Sequence, residues 1–321
     1  MKSERDYVAS QKLNTIEHQW WNDNAGLISK VWEMQTDVSW PIRKDYLKKA
    51  KKFFLEDKKK VTILELGCGS GWVGQFIADS NLSIVGTDYS ESQIELAIAN
   101  AKQKGLDSYC DYFVSDSVES ASKYQSVDGI LIHAFMHHLD GKEIEELLEN
   151  LRRCFKKGTK VWIYEPAFHI APAKHTTQID FVTRACLKAS VSIQSLLGKM
   201  YAKYDLIDQT IMPSLNELVK QAEQNDWYLS PKEVPFEVDE FTRELTGKFE
   251  LISKYWATVY VVGWVVESNL LKYKVPRLFI TKFVIPFFSY TDRLVCKQRD
   301  FLSGRIICPN YAFHVWECIV K

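Results

Sequence analysis

The 321-residue chain has no excess of either charge, because 41 Lys and Arg balance 41 Asp and Glu. Without a net positive field nothing draws it onto a phosphate backbone, so nucleic acid is not an expected partner. There is no C-x-x-C pair. The seven cysteines, Cys68, Cys110, Cys154, Cys186, Cys296, Cys308 and Cys318, are scattered and odd in number. They cannot pair completely, which points to a reducing, cytoplasmic setting. The N-terminal stretch MKSERDYVASQKLN lacks the apolar centre of a signal peptide. The longest uncharged apolar run, Tyr255 to Val266, is shorter than the roughly 20 residues a bilayer-spanning helix needs, so no transmembrane segment is expected. Internal repeats and low-complexity linkers are also missing. What is present is a composition that is 46% apolar, enough to bury a full core.

Residues 61–74, VTILELGCGSGWVG, stand out within that core-forming sequence. A β-branched strand runs into glycines at 67, 69 and 71, which lets backbone approach a ligand closely and aims the next helix's N–H groups at it. Gly69 to Gly74 formally satisfies the dinucleotide pattern G-x-G-x-x-G. The strand, however, ends at Leu66, so the glycine that closes it is Gly67, and counting from there the third glycine position falls on Trp72. An indole cannot provide the close helix packing or the space for a pyrophosphate. In the register that fits, Glu65-Leu66-Gly67-Cys68-Gly69-Ser70-Gly71, the segment resembles the class I S-adenosylmethionine-dependent methyltransferases.

The resemblance continues downstream. SIVGTD at 83–88 is expected to be a second strand ending in Asp88, the position that in the family pairs with the two ribose hydroxyls; a carboxylate only accepts hydrogen bonds and suits a cis-diol. Ser90 to Gln93 has the form of a capping box, and Gly105 the form of a helix stop. A third strand, 111–115, leads to Asp116-Ser117, resembling the adenine-binding acid of the family; a turn-forming Asp would also fit. Strands at 127–133 and 161–166 flank a helix at 147–155. The resemblance implies S-adenosylmethionine as the cofactor, with Glu65, Gly67, Cys68, Gly69, Gly71, Asp88, Tyr89, Asp116, Ser117 and His133 around it.

The expected fold is α/β: a Rossmann-like, seven-stranded, mostly parallel sheet with helices on both faces. Residues 1–56, carrying Trp20, Trp21, Trp32 and Trp40, are expected to form an N-terminal helical lid, with Tyr7 and Trp21 as candidate cofactor contacts. Ordinary core packing would also account for those aromatics. Residues 57–168 form the cofactor-binding core, 169–245 a helical cap and the last core helix, and 246–321 strands six and seven around an apolar insertion. That insertion, which includes LFITKFVIPFF at 278–288, could line a greasy channel, touch a membrane peripherally or pack on the sheet.

Methyl transfer from a sulfonium asks the protein mainly for positioning and desolvation, and a hydroxyl acceptor additionally asks for a base. His133, at the end of strand four, faces the reactive end of a cofactor placed beyond the strand C-termini. In relatives acting on amino groups this place holds Asn or Asp, so a His there disfavours N-methylation of bases or amides and leaves O-methylation open. Hydrogen-bonded structure is the alternative for His133. His138 and Glu165 complete the candidate catalytic set, with capping or packing as the alternative account of the His137-His138 pair, and His169 lies near the same edge. His133 and His137 could reach i, i+4 spacing, but with no H-E-x-x-H and no third ligand, metal is not expected. The expected acceptor is a hydroxyl on a small molecule, a lipid-linked intermediate or a saccharide. The rival readings are an NAD-dependent oxidoreductase and a non-catalytic methyltransferase-like protein that binds cofactor or lipid.

Overall fold

The computed structural model describes residues 4–56, 58–168, 235–258 and 313–321. The expected cap at 169–225, His169 and the apolar stretch at 265–302 lie outside the described residues. A first helix, α1 (Glu4–Leu55), leads into β1 (Val61–Leu66), which lies at the centre of the sheet. On one side β1 pairs in parallel with β2 (Leu82–Asp88) and then β3 (Cys110–Val114); on the other it pairs in parallel with β4 (Gly129–His133) and then β5 (Lys160–Phe168). The chain returns through β7 (Phe249–Thr258) and β8 (Phe313–Val320), giving the order β3-β2-β1-β4-β5-β8-β7 with the last two strands antiparallel. A two-residue strand, β6 (Phe236–Glu237), pairs with the end of β5. Reversal of strand order beside β1 opens a crevice at the C-terminal ends of β1, β2 and β4, the place where open α/β sheets bind ligands.

The strands alternate their apolar residues between two cores, as the two-residue period of a strand buried on both faces requires. Ile63, Leu131 and Trp162 face one cluster; Leu64, Ile130, Ile132, Val161 and Ile163 face the other. The first cluster is covered by Tyr46, Leu47, Ala50, Phe53 and Phe54, a helical stripe on the last turns of α1. That end of α1 is therefore part of the core. The second cluster is covered by α5 (Gly141–Cys154), through Leu147, Leu148 and Leu151, and by α6 (Val238–Lys248), through Phe241 and Leu245.

Helix α5 begins six residues before the expected Leu147. The reason is a capping box that the apolar pattern alone does not reveal: Asp140 Oδ1 accepts from the N–H groups of Lys142 and Glu143, while Glu143 Oε2 accepts from the Asp140 N–H. The expected box at Ser90 is only half built. Its side chain caps α3 (Glu91–Gln103) by accepting from Gln93 N–H, but its own N–H donates to Asp88. His133 and His137 are not helical neighbours, because β4 extends through His133 and Met136–His138 form a separate 3-10 turn.

Candidate active site

The floor of the crevice is the glycine loop. Gly67, Gly69 and Gly71 all have positive φ, at 63°, 51° and 75°. The reasons for glycine differ between them. A Cβ on Gly67 would lie 2.3 Å from the Phe135 ring, so the loop packs against the β4 segment there. A Cβ on Gly69 would meet nothing closer than Gln93 Oε1 at 3.8 Å, leaving an open cradle beside the cavity. Asp88, at the end of β2, ties the loop down: Oδ2 accepts from Gly69 N–H and Oδ1 from Ser90 N–H, both at 2.9 Å. Burial pushes the Asp88 carboxyl above its usual range, partly offset by these N–H bonds and by the nearby His138 and His18.

Glu65, one residue before the strand end, is buried. Its Oε1 accepts from Gly74 N–H at 3.3 Å, and Oε2 has no hydrogen-bond partner among the described residues. Burial raises its pKa to about 8, with the Asp88 charge adding to the rise and the Gly74 N–H opposing it. Asp116 caps α4 (Ser117–Lys123), its Oδ1 accepting from Val118 and Glu119 N–H, and both Asp116 and Ser117 line the cavity. Tyr89 and the buried Cys68, whose thiol burial lifts well above its ordinary value, line it too.

At the end of β4, His133 lies in an aromatic box. Its ring stacks on Tyr164 at 4.3 Å, meets the Trp72 edge at 5.3 Å, and its Nε2 lies 3.2 Å from the Tyr46 hydroxyl. Ala134 follows with φ of 50°, a left-handed conformation that costs a non-glycine residue roughly 1–2 kcal/mol. The conformation is held by Glu165, whose Oε1 accepts from Phe135 and Met136 N–H at 2.9 and 2.8 Å, and by the Ala134 N–H bond to Tyr164 O. Glu165 Oε2 pairs with His137 Nδ1 at 2.7 Å. Fully buried and not among the cavity-lining residues, Glu165 anchors the segment rather than facing an acceptor. Gly71 is likewise off the cavity surface, as the left-handed N-cap of α2 (Trp72–Ile77).

The roof comes from α1. Asn14 Nδ2 donates to Glu143 Oε1 at 2.7 Å, Glu17 Oε1 pairs with His138 Nδ1 at 3.1 Å, and His18 Nε2 lies 3.2 Å from Tyr89 O. Trp21 Nε1 donates to Glu17 Oε1 at 2.8 Å, and Asn22 Oδ1 accepts from Ser90 Oγ at 2.7 Å. Trp21, a candidate cofactor contact, lines the cavity; the side chain of Tyr7, the other candidate, lies outside the described residues. Asn14, Glu17, Gln93 and Glu143 also line it and were missed by sequence reasoning. Glu143 and Gln93 had a local signal, as the fourth residues of D-x-x-E and S-x-x-Q capping patterns, but neither pattern marks a cavity-lining role.

Together these residues enclose a cavity of about 440 Å³. Its described lining holds five carboxyls, Glu17, Glu65, Asp88, Asp116 and Glu143, and no lysine or arginine. Without lysine or arginine such a lining opposes the two negative charges of a pyrophosphate, and a cation brought beside the buried acids favours their ionised forms. S-adenosylmethionine, with its sulfonium and amino group, fits this donor set. The buried polar atoms that lack a partner include Glu65 Oε2, Gln93 Nε2 and Asn14 Oδ1, all on residues of this cavity. Among the described residues no cluster of three His, Cys, Asp or Glu side chains could hold a metal, and no helix is long and apolar enough to cross a membrane.

Comparison with known proteins agrees with the geometry. Residues 63–158 match the methyltransferase domain family. That segment carries the likeness of this chain to the class I S-adenosylmethionine-dependent methyltransferases. Among individual proteins, it is 24% identical over 148 residues to a ubiquinone biosynthesis O-methyltransferase of Rickettsia canadensis, a match covering 46% of this chain and 57% of the relative. It is 20% identical over 242 residues to the protein of that name from Rickettsia bellii, covering 70% of this chain and 90% of the relative. Against the first of these, then, the chain spans little more than half the relative's length. A solved structure from Galdieria sulphuraria, provisionally assigned as a sarcosine dimethylglycine methyltransferase, has the same fold with a TM-score of 0.50 at 13% identity, covering 86% of this chain and 84% of the other.

Proposed function

We propose that the protein transfers the methyl group of S-adenosylmethionine to a hydroxyl on a small-molecule or lipid-linked acceptor. The observation that carries the cofactor half of this reading is the cavity lining of five carboxyls without lysine or arginine. It disfavours the NAD alternative on electrostatic grounds. When bound, the cofactor supplies an activated methyl group whose leaving sulfur is already positively charged, so the residues of this chain need only hold, dehydrate and deprotonate. In this reading Asp88 and Gly69 hold the ribose side, Asp116 and Ser117 the adenine side, and Glu65 the amino group of the methionine part. The indoles of Trp21 and Trp72 exclude water, and an indole face attracts a cation.

Two features support the hydroxyl half. The relatives above bear the name O-methyltransferase, and histidines at the cavity, among them His133 and His138, offer ring nitrogens that can accept a hydroxyl proton. Ubiquinone biosynthesis is the relatives' named role; for this chain it favours a lipid-linked hydroxyl over a saccharide.

Calorimetric titration with S-adenosylhomocysteine and with NAD tests the cofactor. Binding of the former alone is expected, and tight binding of NAD alone would overturn the reading. Incubation with methyl-labelled S-adenosylmethionine and lipid or polar extracts tests the acceptor, with an alkali-stable methyl ether as the expected product. A label recovered only on nitrogen or carbon would refute O-methylation.

A further inference from the structure

Residues 90–93 open α3 with the letters of a capping box, in which the fourth side chain accepts from the N–H of the first. Here that N–H is already taken, because Ser90 donates to Asp88 Oδ1 at 2.9 Å. Gln93 keeps only the backbone half of the box, its N–H donating to Ser90 Oγ at 3.3 Å. Its side-chain amide is thereby released from the cap, and Gln93 lines the cavity. The residue is only 2% exposed, and its Nε2 has no hydrogen-bond partner among the described residues. A buried polar group left in that state costs stability, and in native proteins such groups are ordinarily satisfied. The other end of the amide, Oε1, is the nearest atom beyond the loop's own neighbours to the place a Gly69 Cβ would take, at 3.8 Å. Gly69 N–H in turn donates to Asp88 Oδ2. Amide and carboxylate thus meet the loop at the same glycine.

We infer that Gln93 is a specificity-determining residue of the cofactor site, its side-chain amide hydrogen-bonding one ribose hydroxyl of S-adenosylmethionine while Asp88 accepts the protons of the diol. The inference rests on the cofactor half of the reading above. The two side chains are complementary. An ionised carboxylate only accepts hydrogen bonds, so Asp88 leaves the lone pairs of the hydroxyl oxygens without a donor. An amide brings two N–H donors and one acceptor, and it adds no charge to a lining that already holds five carboxyls. Because a hydroxyl both donates and accepts, it satisfies whichever end of the amide faces it. Asp88 therefore acts twice: it grips the glycine loop, and by capturing the Ser90 N–H it frees Gln93 for the ligand. A ligand without that hydroxyl leaves the buried amide unsatisfied, the situation in which a site rejects an analogue most strongly.

The test is a cycle between side chain and ligand. Calorimetric affinities of the full chain, wild type and Gln93→Met, are measured for S-adenosylhomocysteine and for its 2′-deoxy and 3′-deoxy analogues. Methionine keeps the length and burial of the side chain and removes both hydrogen-bonding ends. The substitution should weaken S-adenosylhomocysteine by about 3- to 10-fold, the worth of one hydrogen bond. It should weaken one of the two deoxy analogues by less than about twofold, because the partner of the amide is already gone from that ligand. An equal loss for all three ligands would overturn the proposal by marking a packing role, and no loss for any would overturn it by marking an idle side chain. Should the methionine variant not fold, Gln93→Asn withdraws the amide by one methylene, and the same comparison decides: a loss confined to ligands that carry the hydroxyl supports the proposal, and a uniform loss or none refutes it. A wild-type protein that binds none of the three ligands would overturn the cofactor reading itself and this proposal with it, an outcome distinct from binding with equal losses.

Discussion

The floor and the roof of the cavity are built by different means. The floor is backbone: Gly69 N–H on Asp88 and Gly74 N–H on Glu65 join residues 19 and 9 positions apart, and the chain path there is set by glycines with positive φ. The roof is side chain: Asn14 on Glu143 spans 129 positions and Ser90 on Asn22 spans 68. A floor of this kind cannot be altered without moving the main chain, whereas a roof held by individual side chains can lift and re-form. Cofactor shape should therefore be fixed below, and entry and chemistry controlled above.

The comparison is tested most severely within the floor. Gly67→Ala places a Cβ 2.3 Å from the Phe135 ring in a left-handed conformation. We expect a loss of about 2–4 kcal/mol in denaturant unfolding, from overpacking and backbone strain together, and no measurable binding of S-adenosylhomocysteine. Gly69→Ala carries the backbone strain without the collision, so about 1–2 kcal/mol should be lost while the fold persists. Its methyl group would enter the cofactor cradle, and calorimetry should show affinity weakened by at least about tenfold, the equivalent of one lost interaction of ~1.4 kcal/mol. Equal stability losses at the two positions would mean that the Phe135 contact does not shape the floor.

A second test uses charge. With its pKa raised to about 8 by burial, Glu65 is mostly protonated at pH 6.5–7 in the free protein. A raised carboxyl pKa also means that folding binds a proton, so this residue's contribution to stability falls as pH rises from the ordinary value of 4.5 towards 8. Placing the amino group of the cofactor beside Oε2 favours the ionised form and returns the pKa downward. Binding of S-adenosylhomocysteine at pH 6.5–7 should therefore release up to one proton, measured as the dependence of calorimetric enthalpy on buffer ionisation heat. Glu65→Gln should abolish most of the release. Release that persists in the variant would assign the proton to Asp88, the other buried acid of the floor with a raised pKa.

The same division explains what could be anticipated from sequence. The strand-loop-helix at 61–77, Asp88 and the parallel sheet were legible because each depends on neighbours in the chain: period-two burial, glycine at a strand end, an acid closing the next strand. Glu165 at a strand end was legible as a position but not as a role, because whether its oxygens face a ligand or the Phe135 and Met136 N–H groups depends on how the β4 segment turns. Glu17 was invisible. An acid on a long polar helix has no local mark that distinguishes a solvated residue from one paired with a histidine far along the chain. His133 drew attention for a sound topological reason, but its packing against the rings of Trp72 and Tyr164 depends on elements far apart in the chain and was not legible.

The smallest expected effect lies at the far end of the roof. Asn22 Oδ1 accepts from Ser90 Oγ at 2.7 Å and from Ser92 N–H at 3.4 Å, joining α1 to the start of α3 directly beside Asp88. In Asn22→Ala the Ser90 hydroxyl still caps α3 by accepting from Gln93 N–H, so the floor is untouched. The loss should be that of one partly exposed hydrogen bond, about 0.5–1.5 kcal/mol. If the roof closes over a preformed floor, that loss belongs to the closed state, and stopped-flow measurements should show S-adenosylhomocysteine leaving about two- to tenfold faster while its association rate stays nearly constant. A matching fall in the association rate would instead mean that this contact prepares the floor before the cofactor arrives, and the separation between the two halves of the site would fail at this seam.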